Sequence, residues 1–169
     1  FAIQYGLSDT DVGSDGTGID TESLSLTIYR TKPFSNNSFT QGLIGFGIIE
    51  SDSVRKSSGN TLTGSRNGNQ LFGSINYGKT FGQGDFNATP IVRLDLGYTE
   101  LDSYTETGTD ALSYSKQTFE SAFGSIGLEI NDIIKFSNSS LKPFGVIEYS
   151  LDFSNSSDVK MNYVSDTAT

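Results

Sequence analysis

Apolar and polar residues alternate one by one along several stretches of this chain. In residues 89–98, TPIVRLDLGY, every second residue from Val92 to Tyr98 is apolar, and Arg93 and Asp95 lie between them. Successive side chains of a β-strand point to opposite sides, so this pattern predicts a strand with one apolar and one charged face.

The same period of two recurs along the whole chain. No stretch keeps an apolar stripe of helical period for three turns. We therefore predict an all-β fold, an antiparallel up-and-down meander. Its strands are predicted at residues 1–8, 23–30, 39–50, 70–81, 89–98, 119–130 and 143–153.

The predicted strands are long, and their connections alternate between long and short. Strands in soluble proteins average about five or six residues, whereas a tilted strand that crosses lipid needs roughly nine to eleven. Membrane barrels have short periplasmic turns and long extracellular loops. We therefore predict part of a transmembrane β-barrel, with extracellular loops at residues 9–22, 51–69, 99–118 and 154–169.

Five charged residues share the side of the strands opposite the apolar residues. Facing lipid at mid-membrane, each would cost several kcal/mol, whereas a hydrated lumen solvates them. The expected lumen-lining residues are Arg93, Asp95, Glu129, Glu148 and Asp152. Arg93 and Glu129 lie on neighbouring predicted strands and are candidates for an ion pair.

The composition narrows the possible functions. The net charge is −9 and the 11 basic residues are scattered, which argues against a nucleic-acid partner. No apolar run is long enough for a transmembrane helix. The chain has 12 Phe and 8 Tyr, many of them near the ends of the predicted strands, as in the aromatic girdles of membrane barrels.

The residues needed for most catalytic and metal sites are absent. The chain has no Cys and no His, which excludes disulfides, thiolate metal sites and histidine bases. Residues 11–22 resemble a calcium loop in part, but Gly13 occupies a ligand position. We predict no enzymatic activity, no metal and no cofactor.

An ordered set of short motifs resembles a known family. They are GSxxYG, TPxxRLDxxY, YTExG followed by ALSY, and a closing GSIGLEI. Their members include Gly73, Tyr77, Gly78, Pro90, Tyr98, Tyr104, Glu106, Gly108 and Gly127. Over residues 66–153, and more loosely over 1–65, the chain resembles the autotransporter β-domain of Gram-negative bacteria, the translocator of type V secretion.

The resemblance implies a twelve-stranded outer-membrane barrel that anchors and exports an upstream passenger domain. It also implies contact with the lipid bilayer and lipopolysaccharide, assembly by the barrel-assembly machinery, and a helix in the lumen. Here seven strands are predicted, no helix precedes Phe1, and a terminal aromatic residue is absent. We therefore expect residues 1–169 to be part of one barrel.

Two other classes share some of these features. A general outer-membrane porin or channel has the same strands without the ordered motifs. A soluble β-sandwich adhesin module has alternating strands, but its apolar residues pack against a second sheet in a dry interior. Detergent dependence separates the sandwich from both barrels, and an upstream passenger separates the translocator from the porin.

Overall fold

The computed structural model describes residues 1–164, which form almost entirely antiparallel β-structure. One sheet has the order β1-β2-β3-β4-β6-β9-β12, and β5 pairs with the start of β6. The predicted all-β meander is confirmed, because the long strands pair in chain order. Its strands are β1 (Ala2–Val12), β2 (Thr17–Pro33), β3 (Ser38–Ser57), β4 (Asn60–Lys79), β5 (Phe81–Gln83), β6 (Phe86–Leu101), β9 (Gln117–Asn131) and β12 (Phe144–Asp152).

Short strands fill the two longest connections. Between β6 and β9, β7 (Tyr104–Thr105) pairs with β8 (Leu112–Tyr114), and β8 pairs with β13 (Met161–Tyr163) beyond the main sheet. Between β9 and β12, β10 (Ile134–Lys135) pairs with β11 (Ser140–Leu141).

The strand register collects the apolar residues on one face of the sheet. Ile28 is opposite Ile44, which is opposite Gly73, and the row continues through Leu96 to Ala122. The two-residue period extends this row above and below, so one side of the sheet is apolar and the other polar. We call these sides the apolar face and the polar face.

The apolar face packs against nothing within residues 1–164. Leu94, Ile126 and Ile147 lie on it and are 43%, 62% and 76% exposed. The buried apolar residues of the described chain are Leu62 and Ala111, which lie away from this face. The geometry is therefore unlike a sandwich, whose apolar side chains face a second sheet.

Two segments predicted as long loops are mainly strand. Within 9–22 only residues 13–16 separate β1 from β2, and within 51–69 only Ser58 and Gly59 separate β3 from β4. Both residues of the second turn have positive φ, 50° and 83°, as a two-residue hairpin turn requires. The strands extend beyond their predicted ends because they continue as polar hairpins, in which no apolar alternation marks a strand.

Turns of similar length join strands at the other end of the sheet. Residues 34–37 join β2 to β3, and residues 84–85 join β5 to β6. Asn37 has φ of 61°, and the side chain of Asn36 accepts a hydrogen bond from the Ser38 amide at 3.3 Å. Residues 1–164 contain no helix long and apolar enough to cross a bilayer. The last part of the predicted loop 154–169, residues 165–169, lies outside the described residues.

Candidate functional site

A row of polar side chains crosses the polar face at the middle of the sheet. Gln41 is opposite Asn76, which is opposite Arg93, and the row continues through Ser125 to Ser150. The Asn76 amide donates to Gln41 at 3.1 Å, and the two serine hydroxyls are 2.8 Å apart. Neighbouring strands thus satisfy one another's polar groups laterally.

Arg93 is the centre of the charged cluster on this face. Its Nε donates to Asp95 at 2.8 Å, and its Nη2 donates to Glu148 at 2.6 Å. Glu148 is on β12, so the guanidinium reaches across β9 to meet it. The three charges hold β6 and β12 in a fixed relation across the intervening strand.

Gly127 and Ser125 make this long reach possible. Gly127 is opposite both Ile91 and Glu148, and a side chain there would contact the Glu148 Cβ at 3.7 Å. Because Gly127 has no side chain, β9 leaves space on the polar face between Arg93 and Glu148. A larger residue at position 127 would stand in the path of the ion pair.

The proposed pairing of Arg93 with Glu129 is wrong. Arg93 is opposite Ser125, and Glu129 is opposite Thr89. Four residues along a strand amount to about 13 Å, beyond the reach of the two side chains in this register. That two residues lie on adjacent strands does not predict an ion pair between them, because the register determines which residues are in contact.

The other predicted charged residues lie on the same face at different levels. Glu129 and Glu148 line a cavity of about 320 Å³, together with Gln41, Asn76 and Arg93. Its walls come from five neighbouring strands, so the sheet curves towards the polar face. Asp152 ends β12, where its carboxylate accepts a hydrogen bond from the Ser154 amide at 2.8 Å.

A second polar cluster lies at the end of the sheet where the long hairpins project. Glu106 is only 5% exposed, and Arg55 of β3 binds it with two hydrogen bonds of 2.8 and 2.6 Å. The Leu112 amide also donates to Glu106, at 2.9 Å. Arg55 thus fastens the segment between β6 and β9 to the main sheet.

That segment folds over the polar face as a small cap, formed by residues 102–116 and β13. The rings of Tyr104 and Tyr114 stack with centroids 4.6 Å apart, and Tyr104 lies against Gly64 of β4. Leu62 is completely buried beneath the cap. Burial, followed by the neighbouring Tyr104, raises the pKa of the Tyr114 hydroxyl to about 12.

Hydrogen bonding sets the charge of the cap's carboxylate. The Arg55 guanidinium lowers the pKa of Glu106, although burial opposes that shift. Glu106 therefore remains ionised in its buried position. A bidentate pair with a further backbone donor is the arrangement that satisfies a buried carboxylate.

The motif residues divide between the two faces and the cap. Tyr77, Pro90 and Tyr98 are on the apolar face with Gly73, and the Tyr98 hydroxyl donates to Glu100 at 3.2 Å. Gly78 is on the polar face, where the Phe39 ring occupies the space a side chain would need. Gly108, with φ of 127°, lets the cap chain approach Leu62.

Several residues of these clusters escaped the sequence analysis. Arg55 and Leu62 lie in the segment 51–69 that is predicted as a loop, and Gln41 lies on a predicted strand as an uncharged residue. The dipeptides Asp15-Gly16 and Ser58-Gly59 are hairpin signals that predict continued strands on both sides. The Ser58-Gly59 signal predicts that Arg55 lies on a strand. It does not predict the contact between Arg55 and Glu106.

The apolar face forms a band with polar limits. On β6 it runs from Pro90 to Tyr98, about 27 Å along the strand at roughly 3.4 Å per residue. Glu100 bounds it at the cap end, and on β2 the limits are Glu22 and Arg30. With the usual tilt of about 40°, such a band spans about 21 Å, close to the roughly 25 Å of membrane barrels.

The charges that flank the band differ in sign at its two ends. Towards the cap, β2 and β3 project acidic residues from the apolar face, namely Asp20, Glu22, Glu50 and Asp52. At the other end, Lys32 lies 5.2 Å from the Phe34 ring, and Lys79 lies 5.1 Å from the Phe81 ring. One rim is therefore acidic, and the other is basic and aromatic.

The described residues offer little for metal or acid–base chemistry. No group of three or more carboxylates among residues 1–164 is arranged to hold a metal ion. The charged cluster around Arg93 consists of mutually satisfied ion pairs. These residues can bind or orient a polar chain that enters the cavity.

Comparison with known proteins agrees with this architecture. The family model described as Autotransporter beta-domain matches residues 1–169. No curated protein matches the chain. Among solved structures, the translocator domain of the autotransporter NalP from Neisseria meningitidis is similar, with a TM-score of 0.76 and 18% identity over 92% of this chain and 54% of that one.

A second solved structure gives the same fold. The β-domain of the Bordetella autotransporter BrkA has a TM-score of 0.61 and 14% identity, over 89% of this chain and 64% of that one. The chain thus spans between half and two thirds of the length of these two domains. At these identities the likeness concerns the fold.

Proposed function

This chain belongs to the autotransporter β-domain family, and we propose that it forms part of an outer-membrane translocator that anchors and helps export a passenger domain. Autotransporter β-domains are outer-membrane barrels of Gram-negative bacteria, and they are generally non-catalytic. The proposal extends to this chain the family's role in secretion.

The separation of the two faces carries the proposal. The apolar face has no protein partner within residues 1–164 and has the height of a bilayer core, so lipid is its natural contact. The polar face carries Arg93, Asp95 and Glu148, which require an aqueous surrounding. A curved sheet with this arrangement encloses a polar lumen when its edges are paired.

The polar face suits the passage of an unfolded chain. Its middle rows consist largely of small or hydrogen-bonding residues, such as Ser74, Asn76 and Ser125. We propose Arg93, Asp95, Glu129, Glu148 and Asp152 as lumen-lining residues.

The two ends of the sheet support a proposed direction across the membrane. We propose that the long hairpins of residues 9–22 and 51–69, the cap segment 99–118 and the tail 154–169 face the cell exterior. The turns at 34–37 and 84–85 then face the periplasm, as is usual for membrane barrels. Lipopolysaccharide would surround the acidic rim, and the barrel-assembly machinery would insert the strands.

Membrane extraction and surface display test the proposal. The full-length protein containing this domain is expected to require detergent for solubility and to change its gel mobility on boiling. Its passenger is expected to be sensitive to protease added to intact cells. A matched strain that produces the passenger without this domain should keep the passenger protected. A detergent-free soluble protein, or a passenger exposed equally in both strains, contradicts the proposal.

A further inference from the structure

The apolar face carries a groove of about 570 Å³ at Gly42, near the basic rim. Gly42 is flanked on this face by Ile28, Ile44 and Ile75, which are 60%, 57% and 54% exposed. A Cβ at position 42 would meet only a backbone oxygen of Ser74, at 3.8 Å. The groove is thus an open slot with apolar walls.

Two cationic side chains lie at the end of this slot nearest the basic rim. Arg30 is directly opposite Gly42, and Lys32 is opposite Thr40 on the same side of the sheet. Along β2 they are separated by about 7 Å, which allows both to approach one phosphate. No carboxylate of residues 1–164 forms an ion pair with either side chain.

We propose that this slot binds one molecule of an anionic glycerophospholipid, with an acyl chain along Gly42 and its phosphate between Arg30 and Lys32. The apolar slot and the cations follow one another along the strand in the order of chain and headgroup in a lipid. Phe34, beside Lys32, lies at the level where aromatic rings favour the headgroup region.

The charges along β2 and β3 favour an anionic headgroup at one end of the apolar face only. At the opposite limit of the band, β2 and β3 project Glu22 and Glu50, which are directly opposite each other. An anionic headgroup is repelled there and attracted at Arg30 and Lys32. The proposal therefore commits to the leaflet at the short-turn end, and it rests on the proposed membrane-spanning function.

The test measures lipid retained by the folded, detergent-solubilised full-length protein, using native mass spectrometry. Palmitoyl-oleoyl phosphatidylglycerol is the probe, with phosphatidylethanolamine of the same chains as the headgroup control. One phosphatidylglycerol per chain is expected to persist. Replacing both cations, R30Q with K32Q, should weaken retention roughly thirtyfold, the effect of two surface charges on an anionic lipid.

Matched variants separate the site from general effects of charge and bulk. K135Q with K142Q removes the same charge at the same end of the sheet, far from the slot, and should retain lipid as the parent protein does. Gly42→Leu fills the slot and should lower retention. Ala122→Leu adds similar bulk to the apolar face on β9 and should leave retention unchanged.

The outcomes distinguish the lipid site from the proposed function. Equal retention of the two lipids, or equal loss in R30Q/K32Q and K135Q/K142Q, overturns the lipid site. Retention of lipopolysaccharide in place of phosphatidylglycerol also overturns it. If the protein still shows heat-modifiable mobility in these cases, the translocator proposal stands. A protein soluble without detergent overturns both.

Discussion

Glu106 shows how a single buried charge can hold an otherwise exposed segment. Its carboxylate receives two bonds from Arg55 and one from the Leu112 amide, and its side chain is 3% exposed. Removing one partner from a buried pair leaves the other charge unsatisfied. Loss of one partner from this pair is therefore expected to loosen the cap.

Glu106→Gln is expected to loosen the cap without unfolding the main sheet. The loss of the buried ion pair should cost about 3 kcal/mol of local stability, because Arg55 keeps its charge without an ionised partner. Hydrogen exchange over residues 104–114 should accelerate accordingly. Glu120→Gln is the control, since that carboxylate contacts only the Asn155 amide. Unchanged exchange in Glu106→Gln contradicts the role of the pair.

The same pair makes the cap sensitive to acid. The pKa of Glu106 is lowered from its usual 4.5, chiefly by the hydrogen bond from Arg55. A lowered pKa in the folded state contributes stability above pH 4.5 that is lost as the pH falls towards the folded value. The protection factors of the cap amides, which correct the exchange rates for the pH dependence of an unprotected amide, should therefore fall below about pH 4.5 in the parent protein. The fall should be weaker in Glu106→Gln, and equal pH profiles of the protection factors would refute the prediction.

Gly45 illustrates a position where the neighbouring strand fills the space of a side chain. The Phe72 ring lies over it on the polar face, where a Cβ would overlap the ring. Gly45→Ala should therefore displace Phe72 and destabilise the sheet by about 1–3 kcal/mol, the usual cost of overpacking. Urea unfolding in bilayers measures this cost. Gly42→Ala, with open space on the opposite face, should cost less, and equal midpoints would argue against the packing explanation.

At the scale of the strand, the face to which a side chain points matters more than its identity. Leu43 and Ile44 are adjacent apolar residues of β3, on the polar and apolar faces respectively, and they are 38% and 57% exposed. Ile44→Lys is expected to lower stability in bilayers by about 2–4 kcal/mol, the cost of a lysine at the membrane midplane. Leu43→Lys should cost much less because it faces water.

The same urea titration in bilayers compares the two lysine variants. Both variants introduce a lysine at neighbouring positions of β3. The effects of its charge and of its strand propensity on stability are therefore similar in the two variants. An equal loss of stability would mean that both faces meet a similar environment. Such a result would contradict the assignment of lipid to the apolar face.

The order of the strands could be predicted from the sequence, while their length and register could not. The apolar alternation in β6 and β9 coincides with the apolar band of the sheet. The sequence therefore indicates each strand only where that strand crosses the band. Beyond the band, β3 and β4 continue with serine, threonine and asparagine, held by the backbone ladder. Those residues do not distinguish a strand from a loop by hydrophobicity.

The strand register determines which residues of the predicted charged cluster are in contact. Arg93, Asp95 and Glu148 meet, but Glu129 is four residues out of position for Arg93. The offset depends on how β9 pairs with β6 over its whole length, which no local pattern records. Likewise, the Arg55–Glu106 pair joins residues 51 positions apart. Contacts of that range depend on the completed fold.

For the whole molecule, the distribution of charge gives the sheet a direction. One end carries the acidic rim, the two long hairpins and the cap, and the other carries short turns with Lys–Phe pairs. The hairpins β1–β2 and β3–β4 extend well past the apolar band as ordered strands. An ordered projection of this kind is the part of the sheet that we propose to face the cell exterior.

Cysteine labelling can determine this direction, because the chain has no native Cys. Asn60→Cys places a thiol beside the Ser58–Gly59 turn, and Ser35→Cys places one in the turn between β2 and β3. A membrane-impermeant maleimide should label Asn60→Cys on intact cells and Ser35→Cys only after the outer membrane is permeabilised. Ser35 is exposed and Asn60 is partly exposed, so reactivity after permeabilisation serves as an internal control. The reverse labelling would invert the sheet, assigning the long hairpins to the periplasm and the phospholipid slot to the outer leaflet. Labelling of both thiols on intact cells would instead mean that the sheet does not cross the membrane.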